Sequence, residues 1–380
     1  MNIAFIGCGY VADFYATTLV NHRALNLATV WDRDPARLEA FCKHWKVKPA
    51  KSLEAVLADE SIGLIVNLTN PKSHYEVSRA ALEAGKHVYS EKPLAMKLEH
   101  AKDLVALAQK KGLQLGGAPC THLGEAAQTA WKAVREGRIG HPRLVYAELD
   151  DGPIHLLGMD QWKSESGAPW PWRDELEVGC TLEHAGYYVT WLVAMFGPVK
   201  RVTTANTLVV PDKGVPTPAQ PDLSVGLLEH ESGVTSRVTC SIYGSHDHSL
   251  RIFGDDGVLV VGECWDYGTS VGVYPRQGVG LRAEKRLASA HRAGLGLVPV
   301  PLVRKPKFEW KSRGANRMDF ARGPAELVEA AAQKRPSRLN AQWSLHLNEI
   351  VLALDKRKSG GQTVEMTTRC EPAVPMPWAT

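Results

Sequence analysis

Residues 3–12 read IAFIGCGYVA: an apolar run that stops at a pair of glycines and resumes as a helical pattern from Tyr10. Four consecutive apolar residues suit a parallel strand buried on both faces. Gly7, Cys8, Gly9, Tyr10, Val11 and Ala12 form G-x-G-x-x-A at the strand-to-helix turn. Gly7 permits the tight turn, Gly9 lets a pyrophosphate approach the backbone, and Ala12 allows close helix–strand packing. The free N–H groups and positive dipole end of the helix opened by Tyr10 and Val11 would face those phosphates. Alone, the motif is weak, so its surroundings decide it.

Outward from the turn, strands and helices alternate. Strands are read at 27–31 (LATVW), 64–68 (LIVNL), 87–89 (HVY) and in LQLGG at 113–117. Between them fall helices in DPARLEAFCKHW after Pro35, SLEAVLADE at 52–60, SHYEVSRAALEA at 73–84 ended by Gly85, and KLEHAKDLVALAQKKG at 97–112. That alternation predicts an α/β fold with a doubly wound Rossmann sheet. Asp32 ends the second strand a little over 20 residues after the glycine turn. There a carboxylate accepts hydrogen bonds from the adenosine ribose, which favours NAD, since a 2′-phosphate would meet its charge. The neighbouring Arg33 guanidinium suits that phosphate, or adenine stacking, and keeps NADP open.

The chain has 380 residues, 44% apolar and 23% charged, enough for two domains, because one core rarely grows past ~250–300 residues. We place a dinucleotide-binding domain at 1–118 and a substrate-binding and oligomerisation domain at 119–380, with a helix at about 340–357 packing back towards the first. A net charge of +4 gives no general attraction to nucleic acid. Seven scattered cysteines without a CxxC pair argue against a disulfide framework or a zinc site, and no metal is expected. No apolar run approaches the ~20 residues of a membrane span. Met1-Asn2 leads directly into a strand, leaving no room for a signal peptide, and a cytoplasmic location is expected.

IAFIGCGYVADF, LTNPKSH at 68–74 and AGKHVYSEKPLA at 84–95 together resemble the Gfo/Idh/MocA oxidoreductases, and the E-K-P of Glu91, Lys92 and Pro93 is the most specific signature. HDHSLRIFGDDGVLVV at 246–261 and AQWSLHLNEIVLAL at 341–354 extend the resemblance. It implies a C-terminal α+β domain with a large open mixed sheet, used for pairing into a homodimer or homotetramer. It also implies that Thr69, Asn70, His74, Glu91 and Lys92 line the nicotinamide half of the site. The family turn usually reads T-P-N, whereas here it is Thr69-Asn70-Pro71. In relatives the lysine reaches the reacting oxygen of the substrate. The chemistry agrees: hydride transfer from an alcohol also removes a proton, and a cation stabilises the developing alkoxide. Pro93 is compatible with the first turn of the next helix.

The acid–base partner is sought in EVGCTLEHAGYYVTWLVAMFG, 177–197, read as one buried helix. Many relatives carry D-x-G-x-H here. The same spacing gives Glu183 and Tyr187, preferred because ten residues then lead to Gly197; shifting the register by one pairs His184 with Tyr188 instead. Residues i and i+4 share a helix face, so either pair can converge on a substrate. Lys92 nearby would lower the phenol pKa from its usual ~10, and a carboxylate would raise it. In the loop 158–175, Trp162, Trp170 and Trp172 are candidate sugar platforms and Arg173 a polar contact; His122, at the domain crossover, is a further substrate candidate. Residues 276–313 hold ten Lys/Arg and two acidic residues, a solvated excursion or a site for an anionic partner. The Pro-rich end CEPAVPMPWAT is expected to lie as an arm on its own domain or on a neighbouring subunit. The expected activity is NAD(P)-dependent oxidoreduction of a sugar, cyclitol or sugar derivative. A redox-neutral lyase, glycosidase or epimerase working through a transient keto-sugar, and a non-catalytic NAD(P) sensor, stay open.

Overall fold

The computed structural model describes residues 1–214, 220–276, 285, 294–308, 317–355 and 361–380. Most of the basic stretch 276–313 lies outside these. Strands β1 (Asn2–Ile6), β2 (Asn26–Trp31), β3 (Ile62–Asn67), β4 (His87–Ser90) and β5 (Leu115–Gly117) form a sheet in the order β2-β1-β3-β4-β5. Every pairing in it is parallel. The connecting helices are α1 (Tyr10–Thr18), α2 (Pro35–Trp45), α3 (Leu53–Ala58), α4 (His74–Glu83) and α5 (Leu98–Lys111). Local chemistry sets their ends. Asp34 caps α2 by accepting from the N–H groups of Ala36 and Arg37, with Pro35 at the first position, and Ser52 caps α3. Gly85 follows α4 at φ +78 and Gly112 ends α5 at φ +66, left-handed positions that favour glycine. Pro93 lies ahead of the helix rather than in its first turn, and the chain runs irregularly until α5 begins at Leu98.

The strand order reverses between β1 and β3, the crevice where ligands bind in open α/β sheets. Gly7 sits in it at φ +100, and a Cβ there would lie 2.5 Å from the Leu68 carbonyl oxygen, so the turn needs a glycine.

Beyond the first sheet come α6 (Glu125–Arg135), β6 (Pro142–Asp150), α7 (Trp172–Val178) and α8 (Cys180–Phe196). Strands β7 (Val199–Thr207), β8 (Leu223–His230), β9 (Thr235–Ser241), β10 (Leu250–Gly254), β11 (Gly257–Val261), β12 (Val271–Pro275) and β13 (Val298–Pro299) follow. The chain continues through α9 (Arg322–Ala332) and α10 (Ala341–Leu354) to β14 (Gln362–Glu365). Among the described residues the second sheet runs β13-β12-β11-β10-β6-β9-β8-β7-β14. It is mixed: β6 and β9 are parallel and the other pairings antiparallel. Helix α8 is buried along most of its length and supplies Tyr188, Trp191 and Leu192 to the core. The segment 177–197 is two helices rather than the one expected, because Gly179 breaks it at φ +92, ψ 157. The C-terminal arm lies on its own chain: the Met376 N–H donates to Gln128 Oε1, and the Arg304 guanidinium stacks 3.7 Å from the Trp378 ring centroid. No helix among the described residues is long and apolar enough to cross a membrane.

Candidate active site

One cavity of about 830 Å³ runs from Gly7, Gly9 and Asp32 at the crevice, past Lys92, to Trp172, Tyr187 and Trp265 of the second domain. Its first half is shaped for a dinucleotide. A Cβ built on Gly9 meets nothing within 4 Å, and no side chain caps the start of α1, so its first N–H groups stand open to a ligand. Tyr10, Val11, Arg33, Thr69 and Asn70 line the same wall, and the buried Asn70 Oδ1 has no partner. Asp32 braces the turn as well as bordering the cavity: Oδ2 accepts from the Cys8 N–H and Oδ1 from the Asp34 N–H, both at 2.8 Å. Arg37, which sequence reading passed over, brings Nη1 to 3.6 Å from Asp32 on the adenosine side.

His74 lines the cavity beside Thr69 and Asn70, and it also braces the wall. Its Nδ1 lies 2.7 Å from the Pro93 carbonyl and its Nε2 2.9 Å from that of Thr69. Burial lowers the pKa of this ring and favours its neutral form, whose single N–H donates to one of the two carbonyls, so His74 ties together the loops carrying Thr69 and Pro93. Glu91 is likewise engaged, accepting from the Tyr15 hydroxyl at 2.7 Å and from the Lys92 N–H at 3.0 Å.

The Lys92 ammonium forms an ion pair with Glu183. Burial pulls its pKa down, but Glu183 and the other acidic groups around it together outweigh that and hold it well above the ordinary lysine value. Burial pushes Glu183 up, but Lys92 together with a hydrogen bond from Glu175 outweighs it, so this carboxylate is held below the usual range. Behind it stands Glu175 of α7, pushed well up by burial and by the Glu183 charge, which therefore keeps its proton. Sequence reading missed Glu175 because the residue is brought there by the break at Gly179. Tyr187 shares the cavity wall with Lys92, its ring edge-on to Trp265 at 5.2 Å. Burial raises its phenol further than the Lys92 charge lowers it, so the group is a proton donor rather than a ready base at neutral pH.

The protonated Glu175 gives a stability prediction with a definite sign. Above the ordinary glutamate pKa of ~4.3 the unfolded chain releases this proton while the folded one retains it, so stability falls as pH rises towards the folded pKa. Glu175→Gln removes that titration and keeps a donor towards Glu183. Thermal melts across pH should show the variant above wild type by about 2 °C or more near pH 8, converging towards it near pH 4.

The wall opposite Lys92 is aromatic. Trp162 and Trp170 meet at 5.0 Å, the Arg173 guanidinium covers the Trp172 ring at 4.3 Å, and all four residues line the cavity. His184 also reaches it, with Nε2 2.6 Å from Asp151 Oδ2. Two expected substrate contacts are overturned. His122 is 2% exposed, its Nδ1 lies against the Thr190 hydroxyl at 2.9 Å, and its ring packs on Trp343. Tyr188 is fully buried and its hydroxyl donates to the His248 carbonyl. One step along α8 turns a side chain by about 100°, so Tyr187 lines the cavity and Tyr188 belongs to the core.

Comparison with known proteins agrees with this architecture. Residues 1–117 match the profile described as oxidoreductase family, NAD-binding Rossmann fold, and residues 127–260 the GFO/IDH/MocA C-terminal domain. D-apiose dehydrogenase of Paraburkholderia graminis is 27% identical over 63% of this chain and 60% of its own. Trans-1,2-dihydrobenzene-1,2-diol dehydrogenase of Oryctolagus cuniculus is 25% identical over 77% and 85%. The crystal structure of an Agrobacterium radiobacter oxidoreductase in complex with NAD+, L-tartaric acid and magnesium superposes with a TM-score of 0.76 at 17% identity, covering 96% of this chain and 98% of that one. A Rossmann crevice carrying the glycine turn, an E-K-P lysine at its mouth and a mixed sheet behind it place the chain in the Gfo/Idh/MocA family of NAD(P)-binding oxidoreductases acting on CH–OH groups.

Proposed function

We propose that this protein interconverts a secondary alcohol and a ketone on a sugar, cyclitol or related polyol, with NAD as the preferred nucleotide. The observation that carries this reading is the position of Lys92: its paired ammonium stands where the dinucleotide half of the cavity meets the aromatic half. When bound, the nicotinamide exchanges a hydride with the substrate carbon; the side chains manage the proton and the charge. Lys92 donates a hydrogen bond to the reacting oxygen and stabilises it as negative charge develops. Glu183 holds that ammonium in place, and Tyr187 supplies the proton in the reductive direction. Trp162, Trp170 and Trp172 present flat apolar faces suited to sugar C–H surfaces, with Arg173 for a polar contact. Relatives named D-apiose dehydrogenase and 1,5-anhydro-D-fructose reductase support the substrate class. Asp32 supports NAD, and Arg33 with Arg37 beside it makes NADP the necessary control.

The test follows nicotinamide absorbance with both nucleotides against a panel of sugars and cyclitols, and with the reduced forms against keto-sugars. Tyr187→Phe should lower the reductive kcat about 10²-fold, the size of a lost general acid, with nucleotide affinity unchanged. Silence across the panel, with nucleotide retained on the purified protein, would overturn the net oxidoreductase reading.

A further inference from the structure

We propose that Asp151, His246 and His248 form a binding site for a divalent transition-metal cation at the floor of the substrate half of the cavity, with Glu263 as its outer carboxylate. These residues lie about a hundred positions apart and are joined by the sheet. Asp150, the last residue of β6, pairs with Asp247 just before β10: each backbone N–H donates to the other's carbonyl, at 3.0 and 2.9 Å. Asp151 is thereby placed beside His246 and His248, which as i and i+2 of an extended segment project to one side. One ligand atom from each of the three lies within 4.8 Å of the others, a spread that a cation with ligands at ~2.0–2.2 Å closes by small side-chain movements.

Three further observations point to an ion rather than to an ordinary polar cluster. His248 is 1% exposed, yet its Nε2 has no hydrogen-bond partner, although Asp151 Oδ1 is only 2.8 Å away. A ring nitrogen and a carboxylate oxygen held this close but out of hydrogen-bond alignment is an arrangement that two ligands of one cation can take. The other ring nitrogen is already occupied: Nδ1 faces Glu263 Oε1 at 2.9 Å. Glu263 is fixed in turn by the Trp265 N–H at 2.9 Å and by His246 Nε2 at 3.1 Å. A buried imidazole tied through one nitrogen to a carboxylate, with the second aimed at a ligand position, is the usual outer-shell arrangement of a metal histidine. Finally, the site has a way in and an open side. His246 is half exposed to solvent, while Asp151 and the neighbouring His184 line the substrate cavity. Three protein ligands leave coordination positions for water or for substrate hydroxyls on that side. Two imidazoles with carboxylates select zinc, manganese, iron(II) or cobalt over magnesium and calcium.

The site does not depend on the proposed reaction, and its test is a binding measurement. The full-length protein, stripped with chelator, is titrated calorimetrically with Zn²⁺, Mn²⁺ and Mg²⁺, and metal content is measured after dialysis. One equivalent of Zn²⁺ or Mn²⁺ per chain is expected. His248→Ala and the exposed, structurally milder His246→Ala should each weaken it about 100-fold, and Glu263→Gln about tenfold. Lys92→Ala should leave it unchanged, separating this site from the hydride-transfer centre. Absence of stoichiometric Zn²⁺ or Mn²⁺ binding, or binding that survives both histidine substitutions in folded protein, would overturn the proposal.

Discussion

Lys92→Ala is expected to lower kcat by about 10³-fold with nucleotide affinity retained, because it removes the cation that meets the developing charge on the substrate oxygen. Steady-state kinetics beside a nucleotide titration distinguish this from loss of binding. The variant should fold. Removing one partner of a buried ion pair is costly when it strands the other charge, but here Glu183 lies against the protonated carboxyl of Glu175 and can take a share of that proton. A drop in kcat of less than about tenfold would move the electrophilic role away from Lys92, since a positioned charge at a reacting oxygen is worth more than that.

Gly7→Ala should be nearly as damaging, by a different route. The added methyl would lie 2.5 Å from the Leu68 oxygen, 2.7 Å from its carbon and 2.9 Å from the Thr69 nitrogen, all backbone atoms, in a conformation at φ +100 that side chains rarely adopt. Relief requires β1 and the Leu68–Thr69 turn to part, opening the wall of the dinucleotide half. A stability loss of about 2–4 kcal/mol is expected from such combined overpacking and backbone strain. Nucleotide affinity should fall at least about tenfold. Denaturant melts and nucleotide titration check the two separately. Gly9→Ala is the control: its Cβ finds open space, so it should fold normally and weaken only nucleotide binding.

The first sheet was legible because its signals are local. An apolar run, a glycine turn and capping residues such as Asp34 and Ser52 each report on their own neighbourhood, and the parallel topology follows from their alternation. Lys92 and Tyr187 were legible through motif spacing, and both line the cavity. What sequence reading missed was decided by distant partners. That Tyr188 belongs to the core, not to the substrate, depends on which face of α8 meets the sheet. His122 looks like a crossover ligand until Trp343, more than two hundred residues later, covers it. Glu175 becomes part of the Lys92 site only because Gly179 turns α7 against α8, a break that an apolar helical pattern conceals. Asp151 and His248 carry no shared signal at all, since only the pairing of Asp150 with Asp247 makes them neighbours.

Helix α10 fastens the two sheets to each other. Its Ser344 hydroxyl oxygen accepts from the Gly117 N–H of β5 and its Asn348 side chain from the Ala95 N–H after Lys92. From the same helix, His346 Nε2 accepts from the Val199 N–H of β7, and the Leu354 carbonyl accepts from Asn206. Swinging the halves apart would strip several buried donors and acceptors of their partners at once. A clamshell that closes on its ligand is therefore the wrong image for this enzyme. It works as a fixed vice, whose two jaws are held at a set distance and which a ligand enters without one sheet swinging against the other.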